Sequence, residues 1–145
     1  MTFALEQLRH AAVQVGQKAS CRLVVLFGSV ARRTADGPER APEDLDLGIL
    51  GPAEAAHRPL DTAALTNDFI RALSFQDVDV TDLGRADPLL LMLVVRDGVP
   101  LFEATPGEFA RFASLAARRY ADTRKFRELE RRQLQDFARR RPTAQ

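Results

Sequence analysis

Apolar positions along the chain fall into two periods. Steps of three and four at Leu5, Leu8, Ala12 and Val15 predict a one-sided helix over Thr2 to Ala19, with Gly16 near its end. The segment from Cys21 to Phe27 is nearly all apolar and rich in valine, the mark of a buried strand. Gly28-Ser29 follows directly, and Val30-Ala31-Arg32-Arg33 reads as a helix start with Ser29 as its cap. Residues 34–43 hold Gly37, Pro38 and Pro42 and predict a loop. Asp44 to Leu50 gives a second strand, closed by Gly51-Pro52, and a second loop runs to Arg58.

Leu65, Phe69, Ile70 and Leu73 share one face of a helix expected over Leu60 to Leu73. Asp77 to Leu83 alternates polar and apolar, a third strand. Asp87-Pro88 supplies a cap and a first-turn proline for a helix ending near Asp97-Gly98. Val99 to Glu103 predicts a short edge strand, because Pro100 cannot donate within a sheet. Thr105-Pro106-Gly107-Glu108 has the form of a capping box with proline at the first helical position. No breaker follows before Arg140, and Phe109, Phe112, Leu115, Ala116, Phe126, Leu129, Leu134 and Phe137 supply its apolar stripe. One long helix or two stacked ones would satisfy that pattern.

With 145 residues the chain suits one α/β domain, here a core over 1–105 and a helical extension of the same domain over 106–145. The longest apolar run, Leu89 to Val95, is far short of the ~20 residues of a membrane helix, so no membrane association is expected. No basic start precedes an apolar block, which argues against a signal peptide. The lone Cys21 excludes an internal disulfide, and it reads as a core residue. His10 and His57 lack metal-ligand spacing. These features suggest a cytoplasmic protein.

Charge is unevenly spread. Residues 1–105 carry ten Lys/Arg against fifteen Asp/Glu, net −5, whereas 106–145 carry eleven against five, net +6. An acidic body suits cations; a basic tail suits an anionic partner or simply a solvated helix face.

Three features at strand ends carry chemistry. Glycine at Gly28 permits close backbone approach, and the N–H groups that follow, with the Ser29 hydroxyl, suit a phosphate. Asp44 and Asp46, two apart on a strand, point to one face; paired carboxylates without His or Cys select magnesium or manganese. Asp79 stands between Val78 and Val80 in what reads as an inner strand, where an unpaired charge costs several kcal/mol (~2–7 even for a polar group). Asp77 and Asp82 read as strand-end residues, and Tyr120 as a packed helix tyrosine.

Together, Leu26-Phe27-Gly28-Ser29-Val30-Ala31-Arg32, Asp44-Leu45-Asp46-Leu47 and Val78-Asp79-Val80 resemble the polymerase-beta-like nucleotidyltransferase superfamily. More narrowly, they look like the minimal nucleotidyltransferases, including the MntA-type antitoxins encoded beside HEPN-domain HepT toxins. Arg96 to Glu103 and Tyr120-Ala121-Asp122 extend the likeness over most of the chain. Two departures stand out: residues 30–43 are longer than the family's usual spacing, and Arg33 stands where glycine is common.

The resemblance implies a small mixed sheet flanked by helices, and transfer of AMP from ATP to a hydroxyl with release of pyrophosphate. It implies two magnesium ions (or manganese) on Asp44, Asp46 and Asp79, with Asp79 also assisting deprotonation of the acceptor. Gly28 and Ser29 would hold the β/γ-phosphates, with Arg32 an outer contact. The acceptor implied is a tyrosine of a HEPN toxin. A small-molecule transferase of the aminoglycoside type and a non-catalytic toxin-binding module are the alternatives. Direct nucleic-acid binding is not expected, since no aromatic stacking platform is evident; a homo-oligomer is left open.

Overall fold

A computed structural model describes residues 4–31 and 44–140. Helix α1 (Leu5–Lys18) leads to β1 (Leu23–Phe27), after which residues 28–31 are helical. Strand β2 (Leu45–Leu50) is followed by a short 3₁₀ turn (Ala53–Ala55), α2 (Thr62–Leu73) and β3 (Val78–Asp82). Then come α3 (Pro88–Asp97), β4 (Val99–Glu103) and a single 33-residue helix, α4 (Glu108–Arg140). Arg32 and the loop expected over 34–43 lie outside the described residues.

The sheet order is β3-β2-β1-β4. β1 pairs antiparallel with β2 and β4, and β2 pairs parallel with β3, the crossover carrying α2. Alternation divides the strands between two cores. Val24, Leu26, Leu45, Leu47, Ile49 and Val80 meet α1 and α2 through Leu8, Ala12, Val15, Leu65 and Phe69. On the other face Leu23, Val25, Leu50 and Leu83 meet Leu91, Val94, Phe112 and Ala116 of α3 and α4. This is the mixed sheet with flanking helices that the resemblance implies.

Local chemistry explains most helix ends. Asp61 and Asp87 each accept a bond from the backbone three residues on, Ala64 at 3.1 Å and Leu90 at 2.9 Å. α4 departs from expectation: it begins at Glu108, so Pro106 precedes the helix instead of opening it. Gly107 takes a positive φ of 91°, and the Phe109 amide bonds Glu103 at 3.1 Å. Thr105 and Glu108 bond each other through their side chains, at 3.0 Å, so the expected pair forms a clasp and not the reciprocal cap.

Only the first turns of α4 meet the core. Phe112 and Ala116 are buried, while Phe126, Leu129, Leu134 and Phe137 are 52–70% exposed. The stripe is one uninterrupted helix, half packed and half projecting. Among the described residues, no helix is long and apolar enough to cross a membrane.

Candidate active site

At one end of the sheet, β1 finishes while β2 and β3 begin. Phe27 is the register partner of Asp46, and Asp46 is the partner of Asp79 across the parallel pair. Paired residues on adjacent strands present side chains to the same face, with backbones about 4.8 Å apart. Asp46 and Asp79 therefore sit side by side, on the face that α3 and α4 cover farther along.

Immediately after β1, Gly28 turns the chain at a φ of 76°. A side chain there would meet Asp46 Oδ2 directly, so only glycine gives both the left-handed turn and room for the carboxylate. Ser29 follows, half-buried, and Val30 and Ala31 anchor the turn in the core against α1. The backbone, the serine and the carboxylate thus share one corner.

Asp44 is exposed and stands one residue before β2, with the same parity as Asp46. Among the described residues, no three His, Cys, Asp or Glu side chains lie close enough to hold one metal ion. The arrangement is a carboxylate pair with a third acid adjoining it. Its donors are all hard oxygens, which fit magnesium or manganese in type.

Asp79 corrects one expectation. β3 is the edge strand, not an inner one, and Asp79 is exposed. The physical reason is that α2 covers only the Val78 and Val80 face, while charge on an edge discourages further pairing. Exposure also removes the desolvation argument that singled out Asp79; its register with Asp46 replaces it.

The remaining acids behave structurally. Asp82 accepts the amides of Leu60 and Gly84, each at 3.0 Å. The Asp77 carbonyl accepts the Leu45 amide at 2.8 Å, fastening the start of β2. Cys21 is buried, which pushes its thiol up to about 11 and makes it a poor nucleophile at neutral pH. His10 and His57 are exposed. Tyr120 packs on Arg127 of its own helix, not on the core: the guanidinium lies 4.2 Å from the ring centroid and donates to the hydroxyl at 3.0 Å, which lowers the phenol's pKa.

No protein-family profile matches the chain, and no curated protein sequence does either. Solved structures do. A crystal structure of a toxin–antitoxin with AMP-PNP is 23% identical, with a TM-score of 0.68 over 88% of this chain and 98% of that one. A tri-AMPylated Shewanella oneidensis HEPN toxin in complex with MNT antitoxin gives 21% identity, a TM-score of 0.66, and 91% and 99% coverage. The toxin–antitoxin MntA-HepT gives 21%, 0.64, and 90% and 98%. The chain shares its fold, a nucleotidyltransferase fold, with the matched chains of these toxin–antitoxin structures.

Proposed function

We propose that this chain is a magnesium-dependent nucleotidyltransferase that moves AMP from ATP to a tyrosine hydroxyl of a HEPN-type toxin, and so acts as its antitoxin. The observation that carries the proposal is the in-register pairing of Asp46 with Asp79 beside the Gly28 turn. The fold likeness to structures whose names include AMP-PNP and a tri-AMPylated HEPN toxin supports the same chemistry.

In this reading Asp44, Asp46 and Asp79 hold the divalent ions, which when bound neutralise the triphosphate and activate its α-phosphate. The amides and hydroxyl following β1, at Gly28 and Ser29, hold the β/γ-phosphates at the opening helix turn. Arg32 is assigned an outer phosphate contact. Asp79, the more exposed acid of the pair, takes the acceptor proton as the hydroxyl attacks. The oxygen bonds the α-phosphorus, and pyrophosphate leaves. Pre-aligned strands hold these groups in position and reduce the ordering cost at reaction.

We assign the partner to the projecting part of α4. Its exposed Phe126, Leu129, Leu134 and Phe137 need cover, and residues 117–140 carry nine Lys/Arg against four Asp/Glu. That net +5 favours an acid-edged apolar face on another protein and disfavours a second copy of the same helix.

The test is incubation with partner, magnesium and α-labelled ATP. Wild-type protein labels the partner and Asp46→Asn does not, while its folding is unchanged. Equal labelling by the variant overturns the assignment. If the wild-type protein neutralises the toxin without labelling it, a non-catalytic binding module replaces the enzyme.

A further inference from the structure

At the opposite end of the sheet lies a cavity of about 200 Å³ that the proposed transfer does not use. Three arginines far apart in sequence line it: Arg22 just before β1, Arg58 beyond the 3₁₀ turn, and Arg119 on α4. Its floor is apolar, formed by the buried Leu50, Leu83 and Phe112. Asp82 is the one acid of the lining, and its two oxygens already accept the Leu60 and Gly84 amides. Arg22 spends its Nε on the Gly51 carbonyl at 2.6 Å, which fixes the guanidinium and leaves its two terminal nitrogens for other partners. Among the described residues, none of the three arginines is ion-paired.

Three guanidinium charges against the single Asp82 carboxylate leave the hollow net positive by two, and an apolar floor strengthens the repulsion among the arginines by lowering the local dielectric. An anion relieves it. Guanidinium forks bind carboxylate and phosphoryl oxygens alike, but only the phosphate monoester brings a charge of about −1.5 to −2 at pH 7 to answer several arginines at once. We propose that this cavity binds a phosphate monoester, at a site separate from the Gly28–Asp46 corner. Asp46 and Leu50 are four residue steps apart on β2, about 13 Å along the strand at ~3.3 Å per residue. A phosphate held by Arg22, Arg58 and Arg119 therefore occupies ground that the catalytic corner does not reach. Because Arg119 belongs to α4 while Arg22 and Arg58 flank the sheet, the ligand ties the long helix to the body.

The test uses the full chain at fixed ionic strength, titrated separately with inorganic phosphate and AMP while the Gly51 and Gly84 amides are followed by NMR. Saturable shifts at both amides are expected, in wild type and equally in Asp46→Asn. Each of Arg58→Gln and Arg119→Gln, both exposed positions, should weaken the binding about tenfold, the loss expected for one charged hydrogen bond. Tighter binding of AMP than of inorganic phosphate supports the monoester; equal affinity overturns it in favour of free phosphate. Absence of saturable shifts with both probes overturns the site. So does unchanged affinity in both Arg58→Gln and Arg119→Gln, or loss of the shifts in Asp46→Asn.

Discussion

The Asp46 carboxylate occupies the space where any side chain on Gly28 would begin. Turn and acid are therefore one unit: the chain can leave β1 this way only because residue 28 has no Cβ, and Asp46 can stand at the corner only for the same reason. Gly28→Ala imposes a φ of 76° on a residue that disfavours it and pushes Asp46 aside. The strain should cost about 1–2 kcal/mol in urea unfolding. Label transfer should fall much further, on the order of 100-fold, since small misplacements at a reacting centre are that costly. Transfer at the wild-type rate would show that Asp46 works without this corner.

Asp79 and Asp82 lie on one strand and should separate cleanly. Asp79 is exposed, so Asp79→Asn should leave the unfolding midpoint within about 0.5 kcal/mol while abolishing transfer. Asp82 receives two backbone amides, so Asp82→Ala should destabilise by about 1–3 kcal/mol and retain transfer. Denaturation and transfer assays on the two variants give opposite patterns. The same pattern in both would remove the distinction.

The distal half of α4 should be dispensable for folding. Phe126→Asp and Leu129→Asp change exposed side chains and should shift stability by less than about 0.5 kcal/mol. Partner binding, read by calorimetry, should weaken by about 2 kcal/mol or more for each, as for buried interface anchors. Unaltered affinity would move the docking surface elsewhere.

Cys21 gives a pH signature. Burial raises its thiol from 9.0 to about 11, so the folded state keeps a proton that the unfolded chain releases. Below pH 9 both states hold it and the stability contribution is complete. Between about pH 9 and 11 stability should fall as pH rises, because the folded state binds more protons there. Cys21→Ala should lose this component of the alkaline slope. A thiol reagent at pH 8 should modify the native protein far more slowly than the urea-unfolded chain.

Reading the strands from their own residues worked where burial is local. Cys21 to Phe27 and Asp44 to Leu50 carry their patterns in consecutive side chains, and the observed strands fall inside both segments. The cap residue Asp87 and the edge position of β4 were equally legible, since proline acts on its own backbone. The edge position of β3 was not. Its D-V-D-V alternation says that one face is buried, and it is silent on whether a further strand pairs beyond it. The Arg22, Arg58 and Arg119 grouping left no sequence signal at all.

What the sequence alone determined is therefore the main strands and helices and the Gly28-Ser29 turn, because backbone period and glycine's missing Cβ act over a few residues. What the tertiary structure decided is the partnership of Asp46 with Asp79, the projection of α4 beyond Ala116, and the arginine cavity at the far pole. Those depend on strand order and register, which arise when separate segments bury their apolar faces against one another.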